Sequence, residues 1–402
     1  MEAGLVQAQP RWRDPKRHLW LLGLAVPTLP FQAGALTALT GVHAFWWWGP
    51  FFAFVIVPLL DASVGEDRDN PPEAAMRQLE RDRYYRWCTY LYLPLQYGAL
   101  VWACAQWARG GLSVLDRAGL AFTTAVVSGI AINTAHELGH KREALERRLS
   151  RIALAQSCYG HFYVEHNHGH HIRVATPEDP ASARMGESFW RFLPRTVFGS
   201  LASAWRLEAR RLERRGRRVI NVHNDVLTAW LLSVLLMATL AAVFGPGVLP
   251  WLLLQAAGGI ALLESVNYLE HYGLLRGTRP DGRHERVSPQ HSWNSDRTTS
   301  NLLLYQLQRH SDHHANPLRR YQTLRHFDTS PQLPGGYASM IVLAWCPTLW
   351  RRVMDRRLLA HYHGDVTLAN LHPRARAHLL KRYGTPAPST ATTARAMRSG
   401  VH

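Results

Sequence analysis

The run "AGLAFTTAVVSGIAINTAHELGH", residues 118–140, begins as an apolar segment and ends in a polar cluster. Its apolar part belongs to a stretch near 115–135, which has the length that a helix needs to cross a bilayer, roughly 17–25 residues. Two histidines, His136 and His140, close the run at a spacing of four residues, which places both on one helix face. The run therefore predicts a membrane helix whose polar end carries two neighbouring imidazoles.

Five further apolar runs reach or approach the same length. The six runs lie near 18–38, 43–60, 87–108, 115–135, 226–244 and 250–270. Short turns join them in pairs, so they predict three helical hairpins. The predicted fold class is all-α, with six transmembrane helices and a histidine-rich cap formed by the polar segments 136–225 and 271–383. We interpret 1–383 as one membrane domain and expect the small, polar tail 384–402 to be disordered.

The distribution of lysine and arginine predicts the orientation of these helices. Basic residues are concentrated before the first run, after the second and after the fourth, as in "RRLERRGRR" at 210–218, whereas the turns near 39–43 and 245–249 carry none. Because positive charge accumulates in cytoplasmic loops, both termini and the cap are predicted on the cytoplasmic side of a bacterial inner membrane. The net charge of +17 is then explained by topology and contact with lipid, with no nucleic-acid partner.

Three more histidine-rich segments follow "HELGH": "EHNHGHH" at 165–171, "NYLEHYG" at 267–273 and "LQRHSDHHANP" at 307–317. Because the membrane crossings between these clusters come in pairs, all four clusters end on one side. Nine of their histidines have ligand-like spacing. They are His136, His140, His166, His170, His171, His271, His310, His313 and His314. Imidazole suits zinc, copper, iron and nickel, and nine ligands are too many for one ion, so the sequence predicts two metal ions.

Carboxylates accompany the histidines and would compensate the charge of two divalent cations. They are Glu137, Glu165, Glu270 and Asp312. We interpret them as groups around the site that orient imidazoles and balance charge. Three further histidines, His161, His168 and His291, are weaker candidates because none has clear ligand spacing.

Two other functions fit parts of this pattern. "HELGH" matches the His-Glu-x-x-His motif of zinc proteases, but a catalytic zinc needs only one more protein ligand and a water. A metal carrier without catalytic activity would also bind ions at histidine clusters. The four cysteines are far apart in the sequence, which excludes a Cys-x-x-Cys metal site.

The clusters and their flanks, "NTAHELGHK", "GHFYVEHNHGHH", "NYLEHYGLLR" and "LQRHSDHHANPLRRYQTL", resemble the integral-membrane alkane 1-monooxygenases. These belong with the membrane fatty-acid desaturases and the xylene monooxygenase hydroxylase, and the likeness covers roughly residues 15–380. It implies that O2 and an n-alkane give a primary alcohol at a non-haem di-iron centre, two irons held by the nine matching histidines. A desaturase or an aryl-methyl hydroxylase is the alternative, since both share the metal site.

The resemblance also implies a partner and a substrate tunnel. Family members take electrons from rubredoxin, which is reduced by an NADH-dependent reductase. This chain has no Cys-x-x-Cys pairs, so its rubredoxin is expected to be a separate protein, docked in part by Arg319 and Arg320. A bulky aromatic on the second membrane helix limits alkane length in this family. Ala53 lies on that helix about 12 Å from Asp61 at 1.5 Å per residue, and its small size predicts a tunnel for alkanes longer than octane.

Overall fold

The structure is a computed structural model that describes residues 12–384. The predicted disordered tail, 384–402, lies outside the described residues except for Gly384. Across the described range the chain is helical, and β-structure is limited to isolated bridges. The all-α prediction is therefore confirmed.

Sixteen helical segments are used below as α1 to α16. They are α1 Arg17–Thr40, α2 His43–Val64, α3 Glu73–Arg81, α4 Arg83–Tyr90, α5 Tyr92–Arg109, α6 Val114–Gly139, α7 Ala144–Ala155, α8 Phe162–Arg173, α9 Phe189–Glu213, α10 Asp225–Phe244, α11 Leu249–His271, α12 Thr298–Leu303, α13 His310–Ala315, α14 Tyr337–Ala344, α15 Pro347–His361 and α16 Arg376–Tyr383.

Five of the described segments are long and apolar enough to cross a membrane. They are α1, α2, α6, α10 and the segment Pro246–His271, which contains α11. The predicted run 87–108 is also helical, but it is divided between α4 and α5 and is more polar. Its buried Gln96 donates a hydrogen bond from Nε2 to the carbonyl of Ala153 at 3.1 Å. This helix therefore contacts α7 through a polar group, whereas the other five segments are more apolar.

Helix α6 is the central helix, and it begins with a capping box. The Ser113 hydroxyl accepts from the Asp116 N–H, and the Asp116 carboxylate accepts from the Ser113 N–H, at 3.1 Å each. These bonds satisfy N–H groups that a helix start leaves unpaired. From there α6 runs 26 residues to Gly139, almost wholly buried along its second half. Its polar end therefore lies at the cap.

Close packing of α6 against α11 aligns their polar ends. A Cβ atom on Gly129 would lie 2.7 Å from Leu262 Cδ2, and one on Gly259 would lie 3.1 Å from the Gly129 nitrogen. Small residues at such a crossing allow the backbones of membrane helices to approach closely. The crossing thereby brings the end of α6 beside His271, the last residue of α11.

Buried polar contacts join the cap to the first hairpin. Arg309, only 1% exposed, donates hydrogen bonds to the carbonyls of Leu324 and Asp67 at 2.8 and 2.9 Å. The Asp61 carboxylate near the end of α2 accepts from the Ser300 N–H and hydroxyl at 2.9 and 2.6 Å. These bonds fix α12 and α13 above α2.

Candidate metal centre

Five of the predicted ligands form one group, which we call the five-histidine group. Its members are His136, His140, His166, His171 and His313, and each offers a ring nitrogen within 4.8 Å of the others. The His136 and His313 Nε2 atoms lie 2.8 Å apart, and those of His166 and His171 lie 3.0 Å apart. Helices α6, α8 and α13 each contribute to this group, with His140 directly after α6.

The other four predicted ligands form a second group, the four-histidine group. It comprises His170, His271, His310 and His314, again with ring nitrogens within 4.8 Å of one another. The His310 and His314 Nε2 atoms are 2.8 Å apart. All four rings are buried. The structure thus divides the nine histidines of the sequence clusters between two adjacent groups.

A π-helical segment, His166–His170, decides how the second cluster is divided. In a π-helix residue i aligns with i+5, so His166 lies beside His171 and His170 turns toward the other group. A straight α-helix would have paired His166 with His170. Gly169 leaves room for the Glu165–Arg173 ion pair, since a Cβ would lie 2.5 Å from Glu165 Oε2 and 2.6 Å from Arg173 Nη2.

Helix α13 supplies both groups from one face, because its three histidines are spaced i, i+3 and i+4. His310 and His314 are one α-helical turn apart and belong to the four-histidine group, whereas His313 belongs to the five-histidine group. The short helix therefore lies beside both groups. This arrangement explains why three histidines occur within five residues.

The ring nitrogens have the chemistry of a metal site. His271 is fully buried, and neither of its ring nitrogens has a hydrogen-bond partner among the described residues; the same holds for His140 Nε2. Leaving such groups buried and unpaired costs about 1–3 kcal/mol each. Burial also lowers the pKa of His166, His310 and His313 well below the ordinary histidine value. Burial therefore favours the neutral form of these three rings, which is the form that metal ligation requires.

Of the four carboxylates expected around the site, Glu270 contacts a histidine. Its Oε2 lies 3.1 Å from His310 Nε2, and its Oε1 accepts a hydrogen bond from the Tyr337 hydroxyl at 2.8 Å. It is 1% exposed. Glu270 therefore places a carboxylate directly beside the four-histidine group.

The other three carboxylates bind cationic side chains instead. Glu137 contacts Lys141 Nζ at 3.0 Å, and Glu165 accepts from Arg173 at 2.6 Å. Asp312 accepts from Arg319 at 2.8 Å. Within residues 12–384 none of the three forms a hydrogen bond to a histidine ring. In a His-Glu-x-x-His protease the glutamate is the general base at the zinc. Here Glu137 is paired with Lys141 instead, which argues against the zinc-protease alternative.

Asp179 is a functional candidate that the sequence patterns missed. Its Oδ2 lies 2.9 Å from His170 Nδ1, both groups are buried, and the Ser182 hydroxyl donates to the same oxygen at 2.7 Å. A carboxylate on the far nitrogen orients an imidazole toward a metal and makes it a better ligand. Asp179 lies in the stretch "VATPEDPASARMGES" at 174–188, but nothing in its spacing marks it.

The three weaker histidine candidates belong to neither group. His168 is exposed, and His291 Nε2 lies 3.0 Å from Glu285 Oε1. His161 is buried edge-on against Tyr159, with ring centroids 4.5 Å apart. Both nitrogens of His161 lack partners among the described residues, and nothing in the structure explains this.

An apolar cavity lies beneath the two histidine groups. It is lined from α1, α2, α6, α11, α12 and α14, with no charged side chain in its wall. At one end are Asn133, one turn before His136, and Tyr337, which bonds Glu270. Ala53 and Phe52 of α2 also line it. The structure therefore places Ala53 in the wall of a cavity that ends close to the histidines.

The surface above the five-histidine group is basic and partly apolar. His140 and His171 are half-buried, and their ring centroids lie 4.4 Å apart. The other seven rings are buried. A depression beside them is lined by Arg81, Arg142 and Leu318 among others. Both arginines are exposed and form no ion pair with another described residue, and Leu318 is 50% exposed.

Comparison with known proteins gives consistent matches along the chain. A family model described as fatty acid desaturase matches residues 117–344. The alkane 1-monooxygenase of Acinetobacter baylyi is 46% identical over 379 residues, which cover 94% of this chain and 93% of that protein. Alkane 1-monooxygenase 1 of Alcanivorax borkumensis is 44% identical over 373 residues, 92% of each chain.

A more distant match is the xylene/toluene monooxygenase hydroxylase component of Pseudomonas putida, 29% identical over 267 residues, which cover 65% of this chain and 70% of that protein. The higher identity and coverage lie with the alkane monooxygenases. The chain therefore belongs to the fatty acid desaturase family and, within it, to the alkane 1-monooxygenases.

Proposed function

We propose that this protein is a membrane-bound alkane 1-monooxygenase. An n-alkane, O2, two electrons and two protons give a primary alcohol and water. The observation that carries the proposal is the position of nine convergent imidazoles at the end of an uncharged, apolar cavity. Relatives named alkane 1-monooxygenase, aligned over nearly the whole chain, support the same substrate class.

The proposed cofactor is a pair of iron ions. The five-histidine group would hold one and the four-histidine group the other, with Glu270 and Asp179 supplying negative charge beside the second. Imidazole ligands suit iron, and the unpaired nitrogens of His271 and His140 would be satisfied by ligation. Such a centre activates O2 and supplies the oxidant for the C–H bond.

Selectivity for the terminal carbon is assigned to the cavity. A terminal methyl has the strongest C–H bonds of an alkane, so the reacting carbon must be chosen by position. The apolar lining offers the alkane no polar anchor, and the helices around it exclude water. The hydroxyl of Tyr337 at the histidine end is held by Glu270, so it does not approach the substrate as a free polar group.

The proposed topology has six membrane helices, the five candidate spans and the pair α4–α5. The cap then faces the cytoplasm at the inner membrane, as the distribution of basic residues indicates. Four of the helices that line the cavity, α1, α2, α6 and α11, belong to candidate membrane spans, so the bilayer, which dissolves alkanes, would supply the substrate.

Rubredoxin is the proposed electron donor, docked over the basic depression beside His140 and His171. The free charges of Arg81 and Arg142 would attract an acidic partner, and exposed Leu318 offers an apolar contact. Arg319 and Arg320, which are expected to contact rubredoxin, line the same depression, and both also form ion pairs within the chain. Arg320, 8% exposed, binds Glu146 at 2.8 Å, and Arg319 binds Asp312.

Reconstitution tests the proposal. The purified protein in lipid vesicles, supplied with rubredoxin, its reductase, NADH and octane, should form 1-octanol with NADH oxidation coupled to product. Toluene and an acyl lipid serve as competing substrates. Preferred conversion of toluene to benzyl alcohol, or desaturation of the lipid, would replace the alkane assignment by one of its alternatives.

A further inference from the structure

A second apolar pocket lies beside the substrate cavity. Its walls come from α2, α6 and α11, together with Trp190 and Trp345. Three side chains line both spaces: Phe54, Val126 and Leu262. These three side chains therefore form the partition between the cavity and the second pocket.

The second pocket is open at the membrane-facing surface. Pro50, Phe122 and Gly258, which line it, are partly exposed, and Trp190 is 56% exposed. No charged side chain lines it. Because its three helices are all candidate membrane spans, the opening faces the hydrocarbon of the bilayer, where an alkane is dissolved.

Trp345, which lines the second pocket next to the partition, is fixed by hydrogen bonds. The Trp345 indole N–H donates to the Ser265 hydroxyl at 3.0 Å, and the Trp345 carbonyl accepts from the Trp190 indole N–H at 3.0 Å. The Phe54 ring packs edge-on against Trp345, with centroids 5.0 Å apart. Trp345 is therefore held in place from two directions.

Phe54 is the side chain of the partition that packs against Trp345. Its ring carries no polar atom, and it lies in the π-helical segment Phe52–Ile56, a local irregularity that often marks functional sites. The adjacent Ala53 lines the inner cavity but not the second pocket. Neighbouring residues of α2 thus contact different spaces.

We propose that Phe54 is a lateral gate, which closes against Trp345 and rotates to admit an alkane from the bilayer into the cavity. The inference rests on the proposed alkane hydroxylation. Ala53 would limit how deep the bound chain reaches, whereas Phe54 would control the rate at which any chain is admitted. Closure also separates lipid acyl chains from the histidine groups.

The test compares Phe54→Trp and Phe54→Ala with the control Phe51→Trp, since Phe51 is 47% exposed and lines neither space. Each protein is reconstituted in vesicles with rubredoxin, reductase and NADH, and kcat and KM are measured for octane, dodecane and hexadecane. Phe54→Trp should lower kcat/KM about 10-fold, and equally for all three alkanes. Its kcat should stay within about 2-fold of wild type, because the larger ring slows entry of the alkane and not the chemical step. Phe54→Ala should raise kcat/KM and admit a branched alkane that wild type rejects.

A change in length preference in Phe54→Trp would make Phe54 a cavity wall and overturn the gate while leaving alkane hydroxylation intact. Unchanged kcat/KM in both Phe54 variants would also overturn it. If Phe54→Trp loses iron, Phe54→Ala decides: a rise in kcat/KM supports the gate, and no rise overturns it. A wild-type protein that forms no alcohol from any alkane would overturn the proposed function and the gate together.

Discussion

The five-histidine group and the four-histidine group use the same side chain in different surroundings. The first contains the two half-buried rings, His140 and His171, and lies beside the exposed arginines of the basic depression. The second is buried throughout. Of the two groups as the structure describes them, it is the one whose rings contact carboxylates: His170 contacts Asp179, and His310 contacts Glu270. The five-histidine group is therefore the one closer to the protein surface, and it is the side on which we propose that the electron donor docks.

The largest expected effect comes from removing one ring of either group. His171→Ala and His170→Ala should each lower 1-octanol formation about 100-fold or more, because a metal site loses its geometry with one ligand. His168→Ala is the matched control, since that ring is exposed and belongs to neither group. Iron content and product formation are measured together. An inactive His168→Ala beside an active His171→Ala would contradict the assignment of the second cluster.

Asp179→Asn tests the carboxylate support of the four-histidine group. The variant keeps the shape of the side chain but removes the negative charge that contacts His170. We therefore expect iron to be retained about 10- to 100-fold less strongly against a chelator. Glu285→Gln is the control, because Glu285 bonds His291 outside both groups. Equal iron retention in the two variants would remove Asp179 from the site.

The electron-accepting side is tested by reversing the charge of Arg142. Arg142→Glu should raise KM for rubredoxin about 10-fold at low salt, with kcat unchanged, and the effect should shrink as salt rises. Arg214→Glu reverses an exposed charge directly after α9 and should leave KM unchanged. If the KM for rubredoxin changes neither in Arg142→Glu nor with salt concentration, the docking surface lies elsewhere. Arg320→Glu should instead reduce the yield of folded protein, since it breaks a buried pair with Glu146.

The smallest effect concerns the cavity that both groups share. Ala53→Trp should lower hexadecane turnover about fivefold relative to octane, because the added ring shortens the space for the chain. Iron content should stay unchanged, and Phe51→Trp should have no effect on the octane-to-hexadecane ratio. Parallel loss at every chain length would indicate a packing defect and remove Ala53 from the substrate wall.

Local patterns in the sequence predicted the helices and the histidine clusters, because both depend on spacing along one segment. The division into groups of five and four did not follow from spacing. The π-helical segment His166–His170 shifts the partner of His166 by one residue, from His170 to His171.

Other features depend on segments far apart in the sequence. Asp179 meets His170 through the fold of a loop, and Phe54 meets Trp345 across almost the full chain. The same applies to Arg320, whose partner Glu146 lies on α7. Sequence spacing placed Arg320 near a histidine cluster but did not indicate that its side chain is buried.

Iron stoichiometry tests the central claim most directly, that nine histidines hold two irons in adjacent groups. The purified wild-type protein should contain two iron atoms per chain, and rubredoxin-dependent 1-octanol formation should rise in proportion to iron occupancy. One tightly bound zinc per chain, or full hydroxylation activity with one iron, would contradict the account.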